Sequence, residues 1–204
     1  MTAPYWNHNV HYHPEVLAAV PDGCEAALDV GCGDGLLARK LAAKAASVTG
    51  VDRSTEMIRQ ARTKTPANIT FLEGDYLDDS PSLAEGKYDF VSAVAVVHHA
   101  RFEDAVTSLV RLLAPGGRLM IVGMAYNKTA LDWVISGCGV PPSLLYRRLR
   151  GGKRGPSGMP VKDSSMSWGE ARRAARRLLP GCEFRRRLLW RYTVMWDKPQ
   201  EGGP

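Results

Sequence analysis

The segment that most constrains this chain is ALDVGCGDG, residues 27–35, in which an apolar stretch runs directly into three alternating glycines. The apolar residues predict a strand, and the segment 36–41 after the glycines predicts a helix. Glycine adopts positive φ and has no Cβ, so the backbone of this turn can approach a ligand closely. The free N–H groups at the start of a helix favour ligand binding at the same place. The segment therefore predicts a strand, a nucleotide-binding turn and a helix.

The spacing of the glycines and the charge beside them indicate which ligand the turn suits. A dinucleotide-binding turn has the pattern G-x-G-x-x-G and holds a pyrophosphate. Here Gly31, Gly33 and Gly35 follow the pattern G-x-G-x-G, and Asp29 and Asp34 stand among them. Two carboxylates repel a pyrophosphate, whereas they attract a ligand that carries an ammonium and a sulfonium group. The turn therefore favours a cationic cofactor over a dinucleotide.

Two further predicted strands also end in carboxylates. The strand 46–52 ends in Asp52, about 20 residues after the first strand, where folds of this kind place an acceptor for ribose hydroxyls. The strand 69–75 ends in Asp75. One acidic residue at the end of each of three successive strands indicates a single binding site at one edge of a sheet.

From about residue 24 to residue 125, the sequence resembles the class I S-adenosylmethionine-dependent methyltransferases. Leu28 to Gly35 is similar to the first motif of that family, and Val51 to Ser54 to its ribose-binding turn. Gly74 to Tyr76 is similar to the adenine-binding turn, and Leu113 to Leu119 to the turn before the fifth strand. Four motifs in the family order are far more specific than one glycine-rich turn, because glycines occur in many turns between strands and helices.

The resemblance implies S-adenosylmethionine as the cofactor and assigns residues to its parts. The implied contacts are Asp29, Gly31 and Gly33 around the methionine moiety, Asp52 on the ribose hydroxyls, Arg53 and Met57 beside the ribose and adenine, and Asp75 with Tyr76 at the adenine.

The order of the predicted elements indicates an α/β fold, a doubly wound and mostly parallel sheet with helices on both faces. The apolar run 88–97 predicts a buried central strand. The resemblance implies seven strands, of which the last two lie near 182–188 and 191–198, the last one antiparallel. With 204 residues, 45% of them hydrophobic, we expect one methyltransferase domain over 1–204.

The N-terminal segment 1–23 is expected to cover the cofactor. Residues 5–14 contain three of the five histidines and three aromatic residues, too polar for a core and too aromatic for a disordered tail. In the resembled family such a segment often helps to form the acceptor pocket. The candidates for lining that pocket are Tyr5, Trp6, His8, Asn9, Tyr12 and His13. Two alternatives are a metal site formed by the histidines and simple packing with hydrogen bonding.

Three histidines are candidates for catalysis, namely His98, His99 and His13. His98 and His99 end the fourth strand, beside the expected position of the methyl group, where a histidine can accept a proton from an acceptor hydroxyl. A paired histidine at this point also resembles a common feature of the family, so a role in supporting the cofactor is an equal alternative. An amine or carbon acceptor needs only positioning and exclusion of water.

The segment 126–166 interrupts the alternating pattern after the fifth predicted strand. Its start lies at the carboxyl edge of the sheet, where ligands bind, and we interpret it as a lid or a wall of the substrate pocket. The alternative is an irregular surface excursion.

The net charge of +6 raises a second possible function. An RNA methyltransferase needs a phosphate-attracting surface, and arginines cluster near 147–154, 172–177 and 185–187. Aromatic residues that would stack on bases are not interleaved with them, and Arg172, Arg173, Arg176 and Arg177 have the spacing of a solvated helix face. We therefore rank a small-molecule acceptor above RNA, and both above a non-enzymatic binding module.

The cysteines and the hydropathy of the chain predict its cellular compartment. The four cysteines are scattered and lack the spacing of metal ligands, so we expect reduced thiols and no bound metal. A secretory signal is not visible, and no apolar run is as long as a membrane span. We expect a cytoplasmic protein that does not enter membranes; the acceptor and the oligomeric state are left open.

Overall fold

The computed structural model describes residues 5–78, 83–149, 155 and 164–200. The strands in these ranges are β1 (Ala26–Val30), β2 (Ser47–Asp52), β3 (Ile69–Glu73), β4 (Tyr88–Val94), β5 (Leu113–Gly123), β6 (Glu183–Arg187) and β7 (Arg191–Asp197). The α-helices are α1 (His13–Ala18), α2 (Leu36–Leu41), α3 (Thr55–Ala61), α4 (Phe102–Leu112), α5 (Ala130–Gly137), α6 (Val140–Leu149) and α7 (Trp168–Leu178). Short 3-10 helices lie at Val10–Tyr12, Arg62–Lys64 and Val97–His99.

The strands form one sheet in the order β3-β2-β1-β4-β5-β7-β6. Strands β1 to β5 are parallel, and β7 lies antiparallel between β5 and β6. The chain crosses from β3 over to β4 on the other side of β1, and this reversal opens a crevice at the carboxyl ends of β1 and β4. The predicted doubly wound, mostly parallel sheet of seven strands is confirmed.

Three strands differ clearly in length from the sequence prediction. The third, predicted over 69–75, ends at Glu73, so Asp75 lies just after the strand and not at its end. The fourth ends at Val94 instead of residue 97, because Ala95 adopts a φ of 56° and the chain then enters a 3-10 helix. The fifth begins at Leu113, paired with Tyr88, and continues after a register shift. At that bulge a Cβ on Gly117 would stand 2.8 Å from the carbonyl oxygen of Tyr88, so only glycine allows the two strands to approach this closely.

Each face of the sheet has its own apolar core, because successive side chains of a strand point to opposite faces. In β1, Leu28 and Val30 belong to the core beneath α4 and α7, whereas Ala27 belongs to the core beneath α1 and α2. The two cores exclude water from both faces of the sheet and fix the position of the carboxyl ends of the strands.

Helix α7 buries its small residues and exposes the four arginines between residues 172 and 177. Its small residues Ala171, Ala174 and Ala175 are buried next to α4. The arginines at positions 172, 173, 176 and 177 are all exposed, as predicted from their spacing. Ser167 and Glu170 form a capping box at the start of the helix.

The inserted segment folds into α5 and α6 where it is described. Both prolines of the Pro141-Pro142 pair lie in the first turn of α6, where a missing N–H costs nothing. Tyr146 stacks on Trp6, with ring centroids 6.1 Å apart, and Asp132 forms an ion pair with Arg186 at 2.8 Å. The apolar residues that both helices expose are Leu131, Trp133, Val134, Ile135, Val140, Leu144, Leu145 and Leu149. No helix in the described ranges is both long and apolar enough to cross a membrane.

The packing between α4 and the sheet provides a test of the fold. Leu109 is fully buried in the core beneath α4, and Leu109→Ala should lower the free energy of unfolding by about 2–5 kcal/mol because it leaves a cavity. The control is Thr107→Ala on the exposed face of the same helix, which should change it by less than about 0.5 kcal/mol. Urea denaturation measures both; equal effects would contradict the described orientation of α4.

Candidate active site

A cavity of about 760 Å³ lies at the carboxyl ends of the parallel strands. Residues that follow β1 to β5 form its floor, and the N-terminal segment forms one wall. This is the place where open α/β sheets bind ligands, and the volume is typical of a small-molecule site. The predicted site residues that line it are Asp29, Gly31, Gly33, Asp52, Arg53, Met57, Asp75, Tyr76, His98, His99, His13, Tyr5, His8 and Asn9.

Three backbone N–H groups of the glycine-rich turn hold it against the end of β2, and a fourth N–H, from Ser54 before α3, binds the same carboxylate. The N–H groups of Gly31 and Cys32 donate to the carbonyl oxygen of Val51 at 2.8 and 3.0 Å. The two oxygens of the Asp52 carboxylate accept from the N–H groups of Gly33 and Ser54, each at 2.9 Å. These bonds fix the Asp52 side chain at the cavity edge and leave it lone pairs for further donors.

Asp29 is a buried carboxylate beneath the turn. Its Oδ1 accepts a hydrogen bond from the Ser92 hydroxyl at 2.9 Å, and its Oδ2 has no partner among the described residues. Burial raises the pKa of Asp29 to about 7, the Ser92 hydrogen bond opposes that shift, and the charge of Asp52 adds to it. A carboxylate in this state attracts a cation that can enter the cavity.

The residues after β3 provide a second buried polar atom at the cavity. The backbone N–H of Leu77 donates to Oδ1 of Asp75 at 3.1 Å, which orients that carboxylate. The hydroxyl of Tyr76 is buried and has no hydrogen-bond partner in the described part of the chain. Burial raises the pKa of Tyr76, with a further contribution from the charge of Asp75.

Comparison with known proteins identifies the family. A methyltransferase domain model matches residues 28–121. An uncharacterised methyltransferase of Mycobacterium tuberculosis (strain ATCC 25618 / H37Rv) is 35% identical over 205 residues, which cover 95% of this chain and 98% of the relative. The chain belongs to the class I S-adenosylmethionine-dependent methyltransferases.

This methyltransferase is also similar to a second curated protein and to a solved structure. A ubiquinone biosynthesis O-methyltransferase of Vibrio parahaemolyticus is 30% identical over 114 residues, 54% of this chain and 48% of the relative. The crystal structure of an S-adenosylmethionine-dependent methyltransferase from Mesorhizobium loti has a TM-score of 0.63 at 17% identity, covering 91% of this chain and 96% of that one. The structural likeness confirms the fold.

The cavity of the methyltransferase fits the cofactor that the family implies. The partnerless Oδ2 of Asp29 is suited to the ammonium group, because it is a buried acceptor in need of a donor. At Gly33, where φ is +55°, no atom lies within 4 Å of the position that a Cβ would take, so the backbone leaves room for a ligand. The lone pairs that remain on Asp52 are suited to a pair of hydroxyl donors.

The two histidines after β4 differ in exposure. His98 is buried and His99 is half-buried, and both line the cavity of the methyltransferase. They follow the turn at Ala95 in the 3-10 helix Val97–His99, and their ring centroids are 4.2 Å apart. Positive φ at a non-glycine residue is uncommon and costs energy, so the turn that presents these rings is held by its surroundings.

His13 has a different environment. Its Nδ1 lies 3.1 Å from Nζ of Lys40. Because the lysine nitrogen only donates, Nδ1 accepts, and in the neutral ring the proton is on Nε2. Burial, with a smaller contribution from the charge of Lys40, lowers the pKa of His13 to about 3. This environment suits a hydrogen-bond donor better than a base.

The N-terminal segment reaches the cavity through some of the predicted residues only. The Tyr5 hydroxyl donates to Asp34 at 3.0 Å, and the His8 ring lies 5.4 Å from that of Trp190. Trp6 and Tyr12 do not line the cavity but are buried in the core beneath α1, and the Tyr12 hydroxyl donates to the carbonyl of Leu188. Aromatic side chains of this size find more apolar contact beneath the wall than on it.

The insertion contributes less to the cavity than a lid would. Among the described residues of 126–166, Gly155 alone lines it, while α5 and α6 lie elsewhere. Tyr146 of α6 instead supports the N-terminal wall through its contact with Trp6. Residues 150–154 and 156–163 of the inserted segment lie outside the described residues.

Sequence reasoning missed two residues that line the cavity, Trp190 and Arg191. Arg191 begins β7 and is buried, and burial lowers its pKa to about 10. The available signal was the tight connection Leu188-Leu189-Trp190, which joins two predicted strands with none of the usual turn residues. Bulky residues in such a turn indicate that their side chains are needed there.

Asp52 provides the first test of this site. Asp52→Ala should weaken binding of S-adenosylhomocysteine by about 1.5–3 kcal/mol, because it removes a charge-assisted acceptor of the ribose hydroxyls. The matched control is Glu73→Gln, at the end of the neighbouring strand, whose carboxylate accepts from Thr55 and does not line the cavity. Calorimetry should show little change for the control. Unchanged affinity in a folded Asp52→Ala protein would contradict the assignment.

Asp29 provides a pH test. If the ligand ammonium binds the ionised carboxylate, protonation of Asp29 below pH 7 opposes binding, so affinity should rise on the order of tenfold from pH 5.5 to 7.5. Asp29→Asn should abolish this rise. Ser92→Ala removes the hydrogen bond that lowers the pKa and should move the midpoint to higher pH, whereas Ser47→Ala, whose hydroxyl donates to the Glu25 carbonyl, should not. A parallel rise in all variants would exclude Asp29 as its origin.

Proposed function

We propose that this methyltransferase transfers the methyl group of S-adenosylmethionine to a hydroxyl of a small molecule bound between the glycine-rich turn and the N-terminal wall. The observation that carries the proposal is the lining of the cavity. Carboxylates at the carboxyl ends of β1, β2 and β3 line it together with His8 of the N-terminal wall, His99 after β4 and Trp190 before β7. The curated ubiquinone biosynthesis relative, an O-methyltransferase, supports a small acceptor.

The cofactor supplies an electrophilic methyl group on a sulfonium, and the chain has to align the acceptor and exclude water. We assign the cofactor contacts to Asp29, Gly31 and Gly33, to Asp52, to Arg53 and Met57, and to Asp75 and Tyr76, as the resemblance implies. Tyr5 closes one side of the cavity through its hydrogen bond to Asp34. The single domain with a cover over 1–23 and an insertion over 126–166 belongs to the same proposal.

We assign the general base to His99 and positioning roles to His98 and His13. His99 lines the cavity and is half-buried, so it can reach an acceptor hydroxyl and pass the proton on to water. His98 is buried behind it and orients its ring. His13, with Nδ1 occupied by Lys40, can only donate from Nε2.

Arginine placement gives the RNA alternative less support than the small-molecule function. The exposed arginines of α7 lie opposite its buried alanines, and Arg177 pairs with Glu103 at 2.8 Å. We therefore expect RNA association to be weak and steeply dependent on salt. Tight, structure-selective RNA binding at physiological salt would favour the alternative.

The experiment for the function is a screen of small hydroxylated metabolites with isotope-labelled S-adenosylmethionine, read by mass spectrometry. We expect a mass gain of one labelled methyl group on a small molecule. Total RNA serves as the competing acceptor in the same assay, and label that appears only in RNA would overturn the proposal.

The histidine roles are then tested with the acceptor found. His99→Gln should lower kcat on the order of 10²-fold or more with S-adenosylhomocysteine affinity unchanged, because only proton transfer is lost. His98→Gln should lower both. The control is His11→Gln, a histidine that lies outside the cavity against Tyr146, which should leave both within about twofold. Normal turnover by His99→Gln would exclude it as the base.

A further inference from the structure

We infer that the cavity contains an anion subsite at Arg191, and that the acceptor is therefore a carboxylate-bearing molecule. The inference rests on the proposed function and adds the chemical class of the substrate. Arg191 lines the cavity and has only 9% of its surface exposed. Arginine is rarely buried to this degree without an acidic partner.

The partners of the Arg191 guanidinium are all neutral. Nε and Nη2 donate to the side-chain oxygen of Asn9 at 3.1 and 2.7 Å. Nη1 donates to the carbonyls of Leu189 and Trp190 at 3.4 and 3.2 Å. These bonds use four of the five N–H groups of a guanidinium, so one N–H on Nη2 is left for another acceptor. Within the described residues, no carboxylate forms an ion pair with it.

The neighbouring arginines of the same strand pair show the contrast. Arg186 forms an ion pair with Asp132, and Arg187 forms one with Glu15, although both are more exposed than Arg191. A charge that is more deeply buried has a greater need for a counter-charge, because water no longer screens it. The missing counter-ion of Arg191 is best supplied by a ligand in the cavity that it lines.

The turn before Arg191 has a strained backbone, and it places Trp190 and Arg191 at the cavity. Leu189 and Trp190 adopt φ values of 56° and 58°, and bulky residues with positive φ are outliers. Leu189 is fully buried, while Trp190 lines the cavity with its ring against His8. Strain of this kind persists where the surroundings require the conformation, which is typical of functional sites. The turn places an aromatic ring and a buried cation side by side.

The charges of the cavity support the same assignment. Its carboxylates lie at or just after the carboxyl ends of the first three strands, where the cationic cofactor is proposed to bind, and are Asp29, Asp34, Asp52 and Asp75. Arg191, at the start of β7, donates to Asn9 of the N-terminal wall, on the proposed acceptor side. An acceptor with an aromatic or apolar body and a carboxylate would contact Trp190 and pair with the guanidinium.

The alternative role for Arg191 is to brace its own turn through the two carbonyls. A variant that supplies a negative charge inside the protein distinguishes the bracing role from the anion-binding role. Asn9→Asp keeps the shape of the side chain and supplies an internal carboxylate, so the brace stays intact while the guanidinium no longer needs an external anion. The subsite predicts that this variant loses anion binding and gains thermal stability.

The test uses protein loaded with S-adenosylhomocysteine and two matched probes, benzoate and benzamide, titrated by ligand-observed NMR. Wild-type protein should bind benzoate on the order of tenfold more tightly than benzamide, since only the carboxylate pairs with the cation. Arg191→Gln and Asn9→Asp should both reduce the preference to less than twofold, and Arg191→Lys should keep part of it. The control, Arg185→Gln on the exposed side of β6, should behave as wild type.

The outcomes separate the inference from the proposed function. Failure to bind S-adenosylhomocysteine would overturn the function itself. Normal cofactor binding together with equal affinity for benzoate and benzamide would overturn the subsite alone. A full benzoate preference in Asn9→Asp would assign the brace role to Arg191. If Arg191→Gln does not fold, Asn9→Asp and Arg191→Lys still decide the question.

Discussion

The attachment of the glycine-rich turn to the end of β2 is the constraint on which the site depends. Val51 and Asp52 receive four backbone N–H groups from the turn and from the start of α3, and the turn can take this path only because its glycines adopt positive φ. At Gly31 a Cβ would stand 2.2 Å from Val96, so the turn also sets the distance to the segment after β4. The cofactor side and the two histidines are thereby placed by one local geometry.

The carboxylates that line the cavity could be predicted from sequence because their determinants are local. The glycines and the carboxylates that line the cavity lie at or just after the ends of the first three strands in the sequence. Parallel strands bring their carboxyl ends to one edge of the sheet, whatever segments connect them. Asp29, Asp52 and Asp75 accordingly line one cavity, as does each glycine named for it. The mostly parallel sheet with helices on both faces was predicted from the same alternation of strands and helices. What the pattern could not give was local chemistry, such as the contrast between the buried Asp29 and the backbone-bound Asp52.

The acceptor side could be predicted only in part, because its determinants are distant in sequence. Composition indicated that the aromatic N-terminus covers the site, but it could not separate Tyr5 and His8, which line the cavity, from Trp6 and Tyr12, which pack beneath it. That distinction depends on Tyr146 and Leu188, which meet the segment only in the folded protein. Arg191 was missed for the same reason. Its guanidinium is buried against Asn9 and against the turn at Leu189 and Trp190, which contains none of the residues that usually mark a turn.

The contacts between the two ends of the chain have a consequence for synthesis on the ribosome. Asn9 and Arg191 are 182 positions apart, and Tyr12 and Glu15 likewise bind Leu188 and Arg187. The carboxylates of the cavity all precede the fourth strand in the sequence. The N-terminal wall has to wait for the final hairpin, and closing so long a loop is slow. The first residues made are therefore among the last to find their partners.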